Sequence, residues 1–271
     1  MPIPRLPMKP STLLLPLFPL LAATAGGCTS QVDDIETPDL TSPAALPIGI
    51  FVGRTTFQSS PVTVISTALV EPNGRMVVVG DRAEYLASGI YSTAGRGFNA
   101  QLRFHLPNLR DEDGAPLVAP SSADFIGTYN PQVDFTGTFV RSDGENGSMN
   151  FIYDAQTEVV PDPRTLVGTW SNADAFGDSS ISFTFVNGGG FSGLDSAGCR
   201  YTDAEAQIIN GRYNLYRVQF SRTCIGEPAA TLFAGLMTVV SRTEAGRTTN
   251  QMILTGSNST AAVSFQLTEA R

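Results

Sequence analysis

Histidine occurs once in this sequence, as His105, lysine once, as Lys9, and tryptophan once, as Trp170. A metal centre built on several histidines is thereby excluded. A Schiff-base lysine is excluded once the N-terminal region holding Lys9 is removed. A serine–histidine–aspartate triad would have to use His105. The nucleophile turn of that chemistry is missing too, because Gly190-Phe191-Ser192-Gly193 lacks the glycine-x-serine-x-glycine spacing. Basic residues are few, 17 against 25 acidic ones, for a net charge of −8. Phosphate backbones are held by clustered Lys and Arg, so no nucleic-acid partner is expected. An acidic surface also does not lie flat on an anionic leaflet. Beyond the N-terminus no apolar run approaches the roughly 18 residues of a membrane-spanning helix, and helical periodicity is nearly absent.

The N-terminus is organised differently from the rest. Arg5 and Lys9 form a positive start, Leu13 to Ala23 a short apolar run interrupted by Pro16 and Pro19, and small residues follow up to Cys28. This is the layout of a cleaved export signal. Its apolar run is too short for a bilayer core of about 30 Å. Residues 29–47 are rich in Ser, Thr and Pro, with Asp33, Asp34, Glu36 and Asp39. They carry too little apolar surface to fold. As a flexible tether these 19 residues would span on the order of 25 Å.

Ala25-Gly26-Gly27-Cys28 resembles a bacterial lipobox, in which a small-residue triplet precedes an invariant cysteine. The resemblance implies removal of residues 1–27 and diacylation of Cys28, with palmitate-type chains as a membrane anchor. Several acyl chains, at roughly 0.8 kcal/mol per buried methylene, hold essentially permanently. Thr29 follows the cysteine, where an Asp would resemble the inner-membrane retention signal, so the outer membrane is the implied address. Without Arg5 and Lys9, 15 basic residues face 25 acidic ones and the balance is −10. With Cys28 lipidated, Cys199 and Cys224 remain as an even pair. In an oxidising compartment that pair is expected to form a disulfide, stabilising by about 3 kcal/mol on a chain-entropy estimate.

After the tether the pattern is all-β, with short strands at regular spacing and turn signals between them. Two tandem antiparallel barrel or sandwich domains are expected, at 48–160 and 161–271. The break is placed at Val159-Val160-Pro161-Asp162-Pro163-Arg164. Gly49-Ile50-Phe51 opens one half and Gly168-Thr169-Trp170 the other, the mark of a diverged internal repeat. Asn73-Gly74 predicts a type I′ hairpin between Thr63–Val70 and Met76–Val79. Asn146-Gly147 is read as a turn into Met149–Tyr153, and Asn210-Gly211 as a turn into Tyr213–Ser221. Alternation is clearest at the end, where Val263, Phe265 and Leu267 share one face.

Gly168-Thr169-Trp170, at the head of an all-β unit, resembles the glycine-x-tryptophan start of lipocalin-like (calycin) barrels. The resemblance implies a tryptophan closing one barrel end and an interior able to take a small apolar ligand.

Candidate sites are few. His105 alternates with Asn99, Gln101 and Arg103 and is expected on a solvated face. Asp111-Glu112-Asp113-Gly114 lacks the later ligands of a calcium loop and reads as a hydrated turn, as does Asp143-Gly144-Glu145-Asn146-Gly147. Asp174, Asp178, Asp195 and Asp203 could in principle serve paired-carboxylate hydrolysis, but nothing pairs them. Tyr201, Arg212, Tyr213, Tyr216 and Arg217 surround the expected disulfide and are the candidate binding residues, since Tyr and Arg dominate binding hot spots. The expectation is an outer-membrane lipoprotein with no cofactor, no metal and no enzymatic activity. Its role would be to bind a protein, a glycan or a small apolar ligand, or to serve as an envelope scaffold. The alternatives are an inhibitor of a host or envelope hydrolase (a lysozyme or a protease), working through a rigid loop near Cys199 to Cys224, and a carboxylate-based hydrolase.

Overall fold

The computed structural model describes residues 45–59, 63–82, 84–106, 118–172, 180–244 and 246–270. The export signal, Cys28 and the tether up to residue 44 lie outside the described residues, as do Asp111 to Gly114, Asp174 and Asp178.

Two closed barrels follow one another, each an antiparallel meander of eight strands. The first comprises β1 (Gly49–Phe57), β2 (Thr63–Val70), β3 (Arg75–Gly80), β4 (Leu86–Ala94), β5 (Gly97–His105), β6 (Ser121–Asn130), β7 (Asp134–Arg141) and β8 (Asn146–Tyr153). It closes where β1 pairs β8, with Phe51 opposite Tyr153. The second comprises β9 (Gly168–Asn172), β10 (Ile181–Phe185), β11 (Gly190–Asp195), β12 (Arg200–Ile208), β13 (Tyr216–Thr223), β14 (Thr231–Glu244), β15 (Arg247–Ser257) and β16 (Ala262–Glu269). Its closure is β16 on β9, with Thr268 opposite Ser171. Closure leaves no strand edge to pair with another chain. The expected break at Val159 to Arg164 lies between β8 and β9, where residues 159–162 separate two 3-10 turns, Ala155–Glu158 and Pro163–Leu166.

The two barrels open alike. Gly49 and Gly168 open their barrels at φ +138° and +134°, in the region that favours glycine. At Gly49 a Cβ would also lie 2.7 Å from the Thr157 methyl. Two residues on, Phe51 and Trp170 point inward and are fully buried. Trp170 donates its indole N–H to the Leu166 carbonyl at 2.8 Å, tying the 3-10 turn across the barrel end.

Aromatic rings fill the first barrel. Phe135 sits among Phe51, Phe98, Phe125 and Phe151, at centroid distances of 5.1, 5.3, 6.2 and 4.9 Å. Such pairs add about 0.5–1.5 kcal/mol each beyond the area they bury. Glycines make room for them: at Gly137 a Cβ would lie 2.6 Å from the Phe125 ring. Three buried hydroxyls form a chain. Thr55 bonds Tyr85 at 2.6 Å, Tyr85 donates to Ser66 at 2.9 Å, and Ser66 donates to the Val64 carbonyl at 3.1 Å. The second barrel is filled in the same way, with Phe185 stacked on Phe191 at 4.6 Å.

The interior is apolar, while outward positions mix polar residues such as Asp124, Thr136, Thr138 and Asn150 with exposed Ile90, Ile126, Val140 and Ile152. A membrane-spanning barrel has the opposite arrangement. One sector of each outer wall is different. Ile48, Ile50, Leu69, Val77 and Leu86 of the first barrel pack on Tyr213, Leu215, Leu236, Val240 and Ala262 of the second. At about 1.5–3 kcal/mol for each fully buried aliphatic side chain, this seam holds the barrels as one body. Polar contacts frame it: Arg217 on Glu71 at 2.8 Å, Ser88 on Ser257 at 2.8 Å, and Asn214 Nδ2 on the Gln156 carbonyl at 3.2 Å.

Several local expectations are corrected. The Asn73-Gly74 turn is not type I′, which needs positive φ at both central residues. Pro72 fixes a negative φ and Gly74 alone is left-handed, at +86°. Gly74 N–H bonds the Glu71 carbonyl and Glu71 N–H bonds Arg75, a type I turn closed by a glycine bulge. Asn146-Gly147 is not a turn but the start of β8, and the turn is centred on Ser142-Asp143 and closed by left-handed Gly144. Tyr213 precedes β13 rather than opening it. β12 had no strand signal because its alternation breaks at a bulge between Thr202 and Glu205, where Asp203 takes φ +50°. The bulge lets both Tyr201 and Ala204 be buried.

Candidate functional site

The far end of the second barrel, away from the Trp170 end, carries the disulfide. Cys199 and Cys224 are joined there, one step beyond the Arg200–Thr223 pair of β12 and β13. The staple links two tight turns. In Asp195–Cys199, Asp195 accepts the Cys199 N–H on one carboxylate oxygen (2.8 Å) and the Tyr201 hydroxyl on the other (3.0 Å). In Cys224–Glu227, Glu227 N–H bonds the Cys224 carbonyl at 3.1 Å, and Cys224 N–H bonds the Glu227 carboxylate at 3.0 Å. Gly226 is left-handed at +87° while Ile225 is not, which makes this a type II turn. Arg222 locks it from inside, pairing with Glu227 at 3.1 Å and lying 5.3 Å over the Phe233 ring.

The first barrel has a matching device at its own far end. Arg141 lies 5.3 Å over Phe104, donates Nε to Ser121 at 2.9 Å and pairs with Asp143 in the turn that follows. In both barrels an arginine aimed inward lies over an interior phenylalanine and is neutralised by the next turn. Cation–π contacts of this kind contribute about 0.5–2 kcal/mol. Beside Arg141 is a solvent-open depression of about 620 Å³ that includes Gln58, Ser59 and Glu145. The Ser59 hydroxyl and backbone N–H hold the Glu145 carboxyl below the usual carboxylate range. A general acid needs the reverse shift.

The candidate binding residues do not share one surface. Tyr201 and Tyr216 are buried inside the second barrel. Tyr213 is buried in the seam between the barrels, and Arg212 lies 5.8 Å over its ring. Arg217 reaches across the seam to Glu71. The sequence pattern marked these side chains as polar-tipped aromatics and cations. It could not show that the tyrosines face inward and that Arg217 has an acidic partner 146 residues away. What the pattern passed over is Ile225, at 85% exposure on the tip of the stapled turn. The available signal was an isoleucine between a cysteine and a glycine in an otherwise polar loop.

His105 is not solvated. It is 3% exposed and its Nε2 has no partner among the described residues. It pairs across β4 with Leu86, a seam residue, so the outer wall is covered there. Burial, and secondarily the charge of Arg103, push its pKa down to about 4. Asp195 is committed to its turn, and Asp203 is exposed on the β12 bulge with no second carboxylate shown beside it among the described residues. Among the described residues no three His, Cys, Asp or Glu side chains converge as metal ligands.

The architecture defines the class: a tandem pair of closed eight-stranded antiparallel barrels, consistent with the calycin-like type. Compared with family models, with curated proteins and with solved structures, the chain matches none.

Proposed function

We propose that this chain is an outer-membrane lipoprotein, anchored through acyl chains on Cys28, whose double barrel does non-catalytic work as a rigid binding or scaffold body. The observation that carries the anchor is Ala25-Gly26-Gly27-Cys28 behind a charged and then apolar N-terminus. The non-catalytic reading is supported by where the charged groups are spent. Glu71, Arg141, Asp195, Arg217, Arg222 and Glu227 all serve turns, barrel ends or the seam. The ring-filled interiors favour a partner that meets the outer surface over a small apolar ligand inside a barrel.

The test is fractionation of cells making the native chain or Cys28→Ser. The native chain is expected in the outer-membrane fraction, with a mature mass raised by its acyl groups. The variant is expected to be soluble or to keep its signal. Identical mass and fractionation for the two would overturn the proposal.

A further inference from the structure

We propose that Asn210 is a site of self-deamidation, where the Gly211 main-chain nitrogen attacks the Asn210 carboxamide, and that the isoaspartate formed there loosens the seam between the barrels. Asn-Gly pairs stand at Asn73, Asn146, Asn187 and Asn210. Glycine after asparagine favours ring closure, because no Cβ crowds the attacking nitrogen. The surroundings then decide which pair reacts. The glycine nitrogen must be free to leave its place, and the carboxamide carbonyl must be polarised.

Among the described residues Asn210 alone meets both conditions. Asn210 and Gly211 are exposed, in the turn Asn210–Tyr213 between β12 and β13. Asn210 Oδ1 accepts the Arg212 main-chain N–H at 3.0 Å. That bond draws charge from the carbonyl and holds the oxyanion formed on attack, as fixed donors do in acyl transfer. The positive Arg212 side chain, one residue beyond, favours loss of the Gly211 amide proton. Gly211 N–H has no hydrogen-bond partner among the described residues. The other pairs are held or lack the donor. Gly74 N–H is spent on the Glu71 carbonyl at 3.3 Å. Gly147 is fixed in the ladder between Phe57 and Phe139. Asn187 is also exposed, but no N–H meets its carboxamide among the described residues.

Water is the only co-reactant. Gly211 N bonds to Asn210 Cγ, the Cγ–Nδ2 bond breaks, and Nδ2 leaves as ammonia with the amide proton. Water then opens the succinimide ring. Opening at Cγ gives aspartate. Opening at the main-chain carbonyl gives isoaspartate, in which the chain runs through Cβ and gains a methylene. The change falls beside the seam. The Asn210 carbonyl accepts the Tyr213 N–H at 3.1 Å, and Ile209 N–H bonds the Leu215 carbonyl at 3.2 Å. Tyr213 and Leu215 are seam residues. Asn214 between them donates its N–H to the Thr157 carbonyl and its Nδ2 to the Val239 carbonyl. In isoaspartate the Asn210 carbonyl becomes a free carboxylate and the turn lengthens. Tyr213 then cannot keep both its main-chain bond and its place in the seam.

The test is ageing of the purified full chain at mildly alkaline pH, followed by peptide mapping. The expected result is a gain of one dalton at Asn210, with isoaspartate in that fragment, before any change at Asn73, Asn146 or Asn187. Gly211→Ala should slow the conversion roughly tenfold by crowding the attacking nitrogen. The turn accepts that variant, since a Cβ at Gly211 meets nothing within 4 Å and the residue is not left-handed. The isoaspartate form, isolated by chromatography, should unfold at lower urea than the fresh chain. Asn210→Asp gains the charge without the methylene and should keep the native midpoint. Earlier conversion at any other Asn-Gly pair, no conversion at Asn210 or an unslowed Gly211→Ala would overturn the proposal. So would a native urea midpoint for the isoaspartate form, or an equal loss in Asn210→Asp.

Discussion

The Glu71 carboxylate of the first barrel meets the Arg217 guanidinium of the second at 2.8 Å, with Arg75 at 4.0 Å on its other side. Glu71 is 3% exposed, so its charge depends on these partners. Removing one member of a fully buried pair costs about 3–5 kcal/mol. Arg217 is 41% exposed, which lowers the expectation here. Arg217→Ala, which strands the buried carboxylate beside Arg75 alone, should destabilise by about 2 kcal/mol, and Glu71→Ala, which leaves a half-exposed guanidinium, by about 1 kcal/mol. Because the seam joins both walls, urea unfolding should give a single transition for both barrels. Two separate transitions would show that the seam does not couple them.

Trp170 is the only tryptophan and is 1% exposed. Its fluorescence should resist acrylamide quenching in the folded chain and become accessible only through the unfolding transition. Trp170→Phe removes the bond to Leu166 and leaves a void. A loss of about 2–3 kcal/mol is expected. Ready quenching at neutral pH would contradict the closed barrel end.

His105 gives the stability a pH dependence of known sign. Unfolded, it takes a proton near its ordinary 6.5, but burial holds the folded group down to about 4. Between those values the unfolded chain binds more protons. This contribution is therefore complete above about pH 6.5 and is lost as pH falls toward 4. The urea midpoint of the native chain should drop between pH 7 and pH 5, and His105→Leu should flatten that drop. An unchanged slope in the variant would place the acid sensitivity elsewhere.

Reducing the Cys199–Cys224 bond should lower stability by up to about 3 kcal/mol on the chain-entropy estimate. The loss should be felt mainly at the stapled turn, since β12 and β13 remain paired by main-chain bonds. Amide exchange of Ile225 and Gly226 should quicken well before that of Val218 or Phe220. Equal acceleration along the whole of β13 would show that the staple holds the barrel rather than its tip.

The fold was legible wherever a strand buries one face. In β16, Val263 and Leu267 are buried while the outward Thr268 is exposed. The seam was not legible, because strands buried on both sides lose the alternation that reports a face. Met76-Val77-Val78-Val79 in β3 and Leu236-Met237 in β14 read simply as apolar runs. His105 misled for a related reason: its polar neighbours on β5 predict a wet wall, and only the tertiary position of Leu86 shows that the wall is covered there. The disulfide could be inferred once Cys28 was set aside. The inward direction of Tyr201 and Tyr216 depended on strand register and on a bulge that the pattern does not announce.

The most direct measurement for the account as a whole is metabolic labelling with radioactive palmitate in cells making the native chain and Cys28→Ser. The account predicts label on the native chain and none on the variant. An unlabelled native chain, exported and folded, would contradict the anchor and the functional reading built on it.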